Sequence, residues 1–311
     1  MSPETLSFDT LTFDHPAACR PARLTASLFL PEPCEQPAPC MVILTSSAGV
    51  QRHREHFYAQ ALNDAGTAAL VVDSFAGRGV RRTVADQTLV SAAQMEGDAF
   101  AALAFLRGDR RIDPGRIGLM GVSKGGVATL NAAIAVRQRW RGGFPHLFDL
   151  HVAICPGATA QHRDATTHGQ PMFFMLAARD DYTPAPLAIE YAERMRSAGN
   201  SRIKVKVYGS AHHGWESVGP VFDIKDAENW SCCRNFIEDD GRHFIPALGE
   251  ALSEPDYQAW ARLHCVTKGA RAGGGTPELK RRATADMLGF LHSAGFAPRW
   301  TTPPITGISV A

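Results

Sequence analysis

A serine set between two glycines, a pair of aspartates closing one apolar run and a pair of histidines closing another are the residues of this chain that could do covalent chemistry together. Residues 116–126 read R-I-G-L-M-G-V-S-K-G-G, an apolar run followed by Gly121-Val-Ser123-Lys-Gly125 and then a helical pattern carrying Val127, Leu130 and Ala133. A G-x-S-x-G signature is meaningful at a strand-to-helix turn, and that is the context here. Gly121 and Gly125 remove side chains where the strand and helix backbones must pass closely around a strained residue. The serine hydroxyl is thereby thrust out of the sheet at a helix N-terminus, where the dipole and free N–H groups favour a developing oxyanion.

A serine hydroxyl alone is a weak nucleophile at neutral pH and needs a histidine base oriented by a carboxylate. The expected chain order on such a turn is Ser, acid, His. Residues 171–184 read P-M-F-F-M-L-A-A-R-D-D-Y-T-P, a strand ending in Asp180 and Asp181. Residues 204–215 read K-V-K-V-Y-G-S-A-H-H-G-W, another strand followed by His212 and His213. Active sites of open α/β sheets lie at this carboxyl edge of the strands. At this point either aspartate and either histidine meets the requirement.

The elements that must carry these groups alternate along residues 22–213, which predicts a mostly parallel sheet covered by helices on both faces. Strands are expected at Cys40–Leu44, Ala68–Asp73, Arg116–Gly121, His151–Cys155, Pro171–Leu176 and Arg202–Tyr208. Most are continuous apolar runs, as a strand buried on both faces should be. The last instead alternates Ile203, Val205 and Val207 with Lys204 and Lys206, which suits a place near the sheet edge. Arg23–Phe29 alternates too and predicts an antiparallel edge before the parallel core, with Pro31–Pro39 as a loop. Helices are expected at Glu55–Ala65, Ala92–Leu106, Gly125–Val136 and Pro186–Ser197. A final helix opens with Thr276 as N-cap, Pro277 in the first position and Glu278 at the positive dipole end, and runs to about Ser293.

With 311 residues and 45% hydrophobic composition, one large α/β domain spanning residues 1–311 is expected. Lys plus Arg number 32 against 31 Asp plus Glu, a balance that argues against nucleic acid or an anionic membrane surface as partner and for a small-molecule substrate. The first 13 residues carry Glu4 and Asp9 without a basic or apolar leader pattern, and no apolar run is long enough for a membrane span, so a cytoplasmic location is expected. The 7 cysteines lack metal-like C-x-x-C spacing and read first as reduced thiols. A bridge from Cys232 or Cys233 to Cys265 is geometrically conceivable, although the expected compartment argues against it.

Taken together, residues 121–126, the D-S-F-A-G-R-G stretch at 73–79, R-D-D-Y-T-P at 179–184 and Y-G-S-A-H-H-G-W at 208–215 resemble the dienelactone hydrolase family of α/β-hydrolases. The resemblance covers most of residues 40–215 and, more loosely, the final helix. It implies the α/β-hydrolase fold and a serine esterase or lactonase mechanism without metal or organic cofactor. The family's acid stands four positions before a proline, which implies Asp180, and its histidine five positions after the tyrosine of a Y-x-x-A motif, which implies His213. Ser123 stands where the namesake enzymes carry cysteine, which points to ester, lactone or thioester chemistry in general. For the oxyanion, Thr45 and Ser46 replace the His-Gly pair often seen in the family, and the expected donors are the backbone N–H groups of Ser47 and Lys124.

Residues 216–268 separate the histidine loop from the last helix by more than a minimal fold needs and contain six aromatic residues from Phe222 to Trp260, which predicts a packed insertion serving as lid or flap. Its early part is expected to wall the substrate pocket through Trp215 and Phe222, with Arg78 a candidate partner for an anionic substrate group. His53 and His56 share a helix face without further ligands, so no metal is expected. Gly273–Gly275 reads as a loop rather than a phosphate cradle. Two rivals remain: an acyl-CoA thioesterase or acyltransferase, which the local G-x-S-K-G-G resembles, and a non-catalytic binding module on the same fold.

Overall fold

In the computed structural model, residues 3–10, 22–32, 36–142 and 145–296 are described. Cys19, Cys34 and the middle of the Pro31–Pro39 stretch lie outside them. The chain runs β1 (Glu4–Asp9), β2 (Arg23–Phe29), β3 (Ala38–Leu44), α1 (Phe57–Asp64), β4 (Ala68–Asp73), α2 (Ala92–Arg107), β5 (Ile112–Val122), α3 (Lys124–Ala133), α4 (Ala135–Trp140) and β6 (His151–Ile154). It continues through β7 (Ala160–His162), β8 (Met172–Ala177), α5 (Ala185–Ser197) and β9 (Ile203–Tyr208). Beyond the histidine loop come β10 (Val221–Asn229), β11 (Asn235–Ile237), β12 (His243–Ile245), β13 (Glu250–Leu252), α6 (Glu254–His264), β14 (Thr267–Gly273) and α7 (Pro277–Ser293).

The main sheet has eight strands in the order β1-β2-β4-β3-β5-β6-β8-β9. The pairs from β4 to β9 are parallel, whereas β1 and β2 form the antiparallel edge that alternation predicts. Successive strand residues point to opposite faces, so each apolar run feeds two cores. Met41, Ile43, Met120 and Phe173 pack toward α1 and α7, while Cys40, Val42, Leu44 and Leu119 pack toward α2 and α3. A third cluster joins α3 and α5 across Phe174 and Leu176. β9 lies at the edge as expected, but Val207 is 42% exposed there, since a last strand has no neighbour to cover its outer side.

Two expected helices differ in detail. The stretch before α1 is a π-turn over Arg52–His56 that turns Glu55 inward, where its carboxylate accepts from Thr45 Oγ, the Gln51 amide and Arg54 Nε. Gly125–Val136 breaks into α3 and α4 at Ile134, whose backbone is extended and bridges to Thr167. Thr276 caps α7, accepting from the Leu279 amide, with Pro277 in the first turn.

Residues 221–273 fold into a cap of their own. Its two ends, β10 and β14, pair antiparallel, and β13-β12-β11 continue onto β7 of the main body through a parallel β11–β7 pairing. Cys233, Ile245, Tyr257 and Ala261 form its small core, and a disulfide joins Cys233 to Cys265. Thus the conceivable bridge is present, and the expectation of reduced thiols is corrected for this pair. Cys40, Cys155 and Cys232 are free. Among the described residues, no helix is long and apolar enough to cross a membrane.

Candidate active site

Ser123 occupies the turn between β5 and α3 with φ 56° and ψ −114°, a conformation that costs a non-glycine residue energy and persists where surrounding structure enforces it. Its amide donates to the Ile154 carbonyl at 2.8 Å, tying the turn to β6. The flanking glycines are a steric requirement. A Cβ on Gly121 would stand 2.2 Å from the Gly125 carbonyl oxygen, and one on Gly125 would meet the Thr45 and Leu44 carbonyl oxygens at 2.5 and 2.6 Å.

Asp180 follows β8 and His213 follows β9, the neighbouring strand, and backbone bonds from Ala178 to Tyr208 and from Arg179 to Ala211 hold the two loops side by side. His213 Nδ1 lies 2.8 Å from Asp180 Oδ2. The other carboxylate oxygen accepts from the amides of Tyr182 and Thr183, and Thr183 Oγ donates to Oδ2. Burial alone would raise the Asp180 carboxyl; the His213 ring and the Thr183 bonds outweigh it and hold the group below its ordinary value. An ionised carboxylate only accepts, so the shared proton sits on Nδ1 and Nε2 is left as the acceptor. No hydrogen bond joins Ser123 to His213 in this structure; such contacts are commonly loose before substrate arrives.

Cys155 adds a fourth buried group. It ends β6 with φ 43°, and its sulfur, an Asp180 oxygen and a His213 nitrogen all lie within 4.8 Å of one another. Burial, then the Asp180 charge, pushes its thiol well up, so it stays protonated and donates toward Asp180.

The amides of Ser47 and Lys124 donate to no protein group among the described residues, and both residues line the cavity that Ser123 opens into. The Lys124 side chain is taken up by the 83–90 loop. Its Nζ donates to Thr83 Oγ, the Gln87 carbonyl and the Val90 carbonyl at 2.6, 2.8 and 2.8 Å, and burial pushes its ammonium down to about 7. Gln87 connects further. It accepts from Ser47 Oγ, donates from Nε2 to the Tyr182 hydroxyl, and its amide donates to Glu228 on β10. The Tyr182 ring in turn stands edge-on against His213, with centroids 5.1 Å apart. Gln87 therefore links the loops that carry Ser47 and Asp180 through its side chain, and reaches the Lys124 side chain and the cap through its backbone carbonyl and N–H.

The neighbours within each pair lie elsewhere. Asp181 accepts from the Arg271 amide and Nε, fastening the acid loop to β14. His212 packs near Gly274. Gly275 lets the chain cross beneath the histidine loop, since a Cβ there would stand 1.8 Å from the Trp215 carbonyl oxygen.

The cavity at Ser123 has a volume of about 250 Å³, and the cap supplies part of its wall through Trp230, His243, Glu254 and Tyr257. This corrects three expected pocket residues. Trp215 is fully buried in the main core against Tyr208, because the chain dives under the sheet directly after His213. Phe222 is 48% exposed on β10. Arg78 forks onto the buried Asp98 carboxylate and donates to the Ser74 carbonyl. His53 Nε2 pairs with Ser217 Oγ. Sequence reasoning gave no role to Gln87, Tyr182, Thr183 or Cys155; Tyr182 and Thr183 carry a signal, since both stand inside D-D-Y-T-P.

Residues 24–229, about two thirds of the chain, match the model of the dienelactone hydrolase family. Over 142 residues the chain is 29% identical to protein usf of Aquifex pyrophilus, a match that covers 45% of this chain and 58% of that protein. The structure is similar to that of esterase 2 from Thermogutta terrifontis, with a TM-score of 0.58 at 13% identity over 97% of this chain and 95% of that one. It is also similar to a protein from Klebsiella pneumoniae provisionally described as a dienelactone hydrolase, with a TM-score of 0.50 at 18% identity over 68% of this chain and 88% of that one. At these identities both structural likenesses are likenesses of fold.

Proposed function

The chain belongs to the dienelactone hydrolase family, hydrolases acting on ester bonds, and we propose that it cleaves carboxylic esters or lactones with Ser123 as nucleophile, His213 as base and Asp180 as the base's partner. The observation that carries this reading is the 2.8 Å Asp180–His213 contact at the ends of adjacent strands, with Ser123 held in a strained turn at a helix N-terminus on the same carboxyl edge of the sheet. His213 Nε2 takes the Ser123 proton as Oγ attacks the carbonyl carbon, and Asp180 steadies the imidazolium so formed. The Ser47 and Lys124 amides hold the oxyanion. The leaving alcohol takes the proton from His213, and water then repeats the sequence on the acyl-enzyme.

The lysine that suggested thioester chemistry is fully engaged with the 83–90 loop, which favours the ester reading over an acyl-CoA one. The cap is read as the pocket's outer wall. Rapid quench of a p-nitrophenyl hexanoate reaction, followed by peptide mass analysis, should find the hexanoyl group on Ser123. An adduct on another residue rejects the assignment.

A further inference from the structure

We propose that the cavity at Ser123 takes an acyl group of no more than about ten non-hydrogen atoms that carries no negative charge. This rests on the serine-hydrolase reading and narrows its substrate class. The argument begins with the cations near the cavity, since a buried carboxylate on a substrate needs a charged or multiply hydrogen-bonded partner.

Lys124 is the cation nearest the nucleophile along the chain. An ammonium has three protons to donate, and Lys124 gives all three to Thr83, Gln87 and Val90. If it loses its proton it is no longer a cation, so neither state leaves a donor for a substrate carboxylate. Arg262 forks onto Glu228, Asp86 and Thr88. Among the described residues that line the cavity there is no arginine and no second lysine, whereas Glu228 and Glu254 both line it. His243, the cavity's imidazole, is pushed down to about 4 by burial and is neutral at working pH. A carboxylate entering here meets Glu254, a Glu228 already paired with Arg262, and no cation with a free donor among the described residues that line the cavity.

Size follows from the volume. An apolar cavity of about 150 Å³ accommodates benzene, so about 250 Å³ suits an acyl group of about ten non-hydrogen atoms. Trp230 and Tyr257 bound it, and Tyr257 is held rigidly: its ring stacks on His243 at 4.5 Å and its hydroxyl bonds to Asn235 and the Cys233 carbonyl.

The test uses the intact protein with two esters of equal acyl length, p-nitrophenyl hexanoate and mono-p-nitrophenyl adipate, whose far end is a carboxylate. At pH 7.5 kcat/KM for the hexanoate should exceed that for the adipate by roughly 100-fold or more. Along the saturated series from acetate to tetradecanoate, kcat/KM should peak at or before decanoate, and Trp230→Ala should move the peak toward longer acyl groups. Equal or faster turnover of the adipate, or a peak at dodecanoate or beyond in the native protein, overturns the inference while leaving the serine hydrolase standing. Absence of turnover for every ester, with Ser123 unacylated, removes the underlying reading and this inference with it.

Discussion

The main sheet and the cap meet at one cavity but are built on different terms. In the sheet, buried parallel strands fix the backbone, and the proposed triad hangs from their carboxyl ends: Ser123 after β5, Asp180 after β8, His213 after β9. Positions there follow from strand register and tolerate little, since Gly121 and Gly125 lack even the room for a Cβ. The cap has short strands of three residues, a small core, a disulfide and a parallel pairing to β7 that docks it. Its contribution to the cavity is side chains, Trp230, Tyr257 and two carboxylates. On the proposed reading, reaction and selectivity are carried by separable regions, joined where Gln87 reaches from Ser47 to Tyr182 and Glu228.

The sharpest way to break this comparison is within the acid pair, because Asp180 serves the sheet side and Asp181 the cap. Asp180→Asn should lower kcat by roughly 10³- to 10⁴-fold, since an amide no longer fixes the histidine tautomer. Asp181→Asn removes only an exposed tie to Arg271 and should cost less than about tenfold, as surface pairs contribute little. Steady-state kinetics on p-nitrophenyl hexanoate decides; a reversed order would move the acid by one residue.

A smaller effect is expected at the junction. Gln87→Leu leaves the Ser47 hydroxyl without its partner and the Tyr182 hydroxyl with only the Glu228 carbonyl; a stranded hydroxyl costs about 1–3 kcal/mol, so kcat should fall by roughly 10- to 100-fold. Gln87→Glu, which keeps the acceptor for Ser47, should recover part of the loss. If both variants match the native rate, Gln87 is not what aligns the loops.

The smallest effect on rate, and the largest on selectivity, belongs to the cap. Replacing Cys233 and Cys265 together by serine opens a loop whose ends are 32 residues apart, a loss of about 3–4 kcal/mol in cap stability by chain entropy. The acyl-length profile should broaden, while reaction of Ser123 with a fluorophosphonate continues at a similar rate. An unchanged profile would show that the cap does not shape the pocket.

Much of the sheet was legible because strands buried on both faces write themselves as apolar runs, and Ala68–Asp73 was read to the residue. The glycine-flanked serine was legible for the same reason, as a rule imposed by backbone crowding. The pocket wall was not. Trp215 stands two residues from His213 in the chain, yet it faces the main core, whereas Trp230 and Tyr257 return through a fold of their own. Gln87 sits in a loop with no periodicity, and its role exists only through partners 40, 95 and 141 residues away. Side-chain hydrogen bonds of that span leave no local pattern to read.

The most direct test of the central claim is fluorophosphonate labelling of the native protein beside Ser123→Ala. The native protein should take up one equivalent, located by peptide mass to Ser123, and the folded variant none, with hydrolysis lower by roughly 10⁶-fold. Persistent labelling or turnover in a folded Ser123→Ala protein would contradict it.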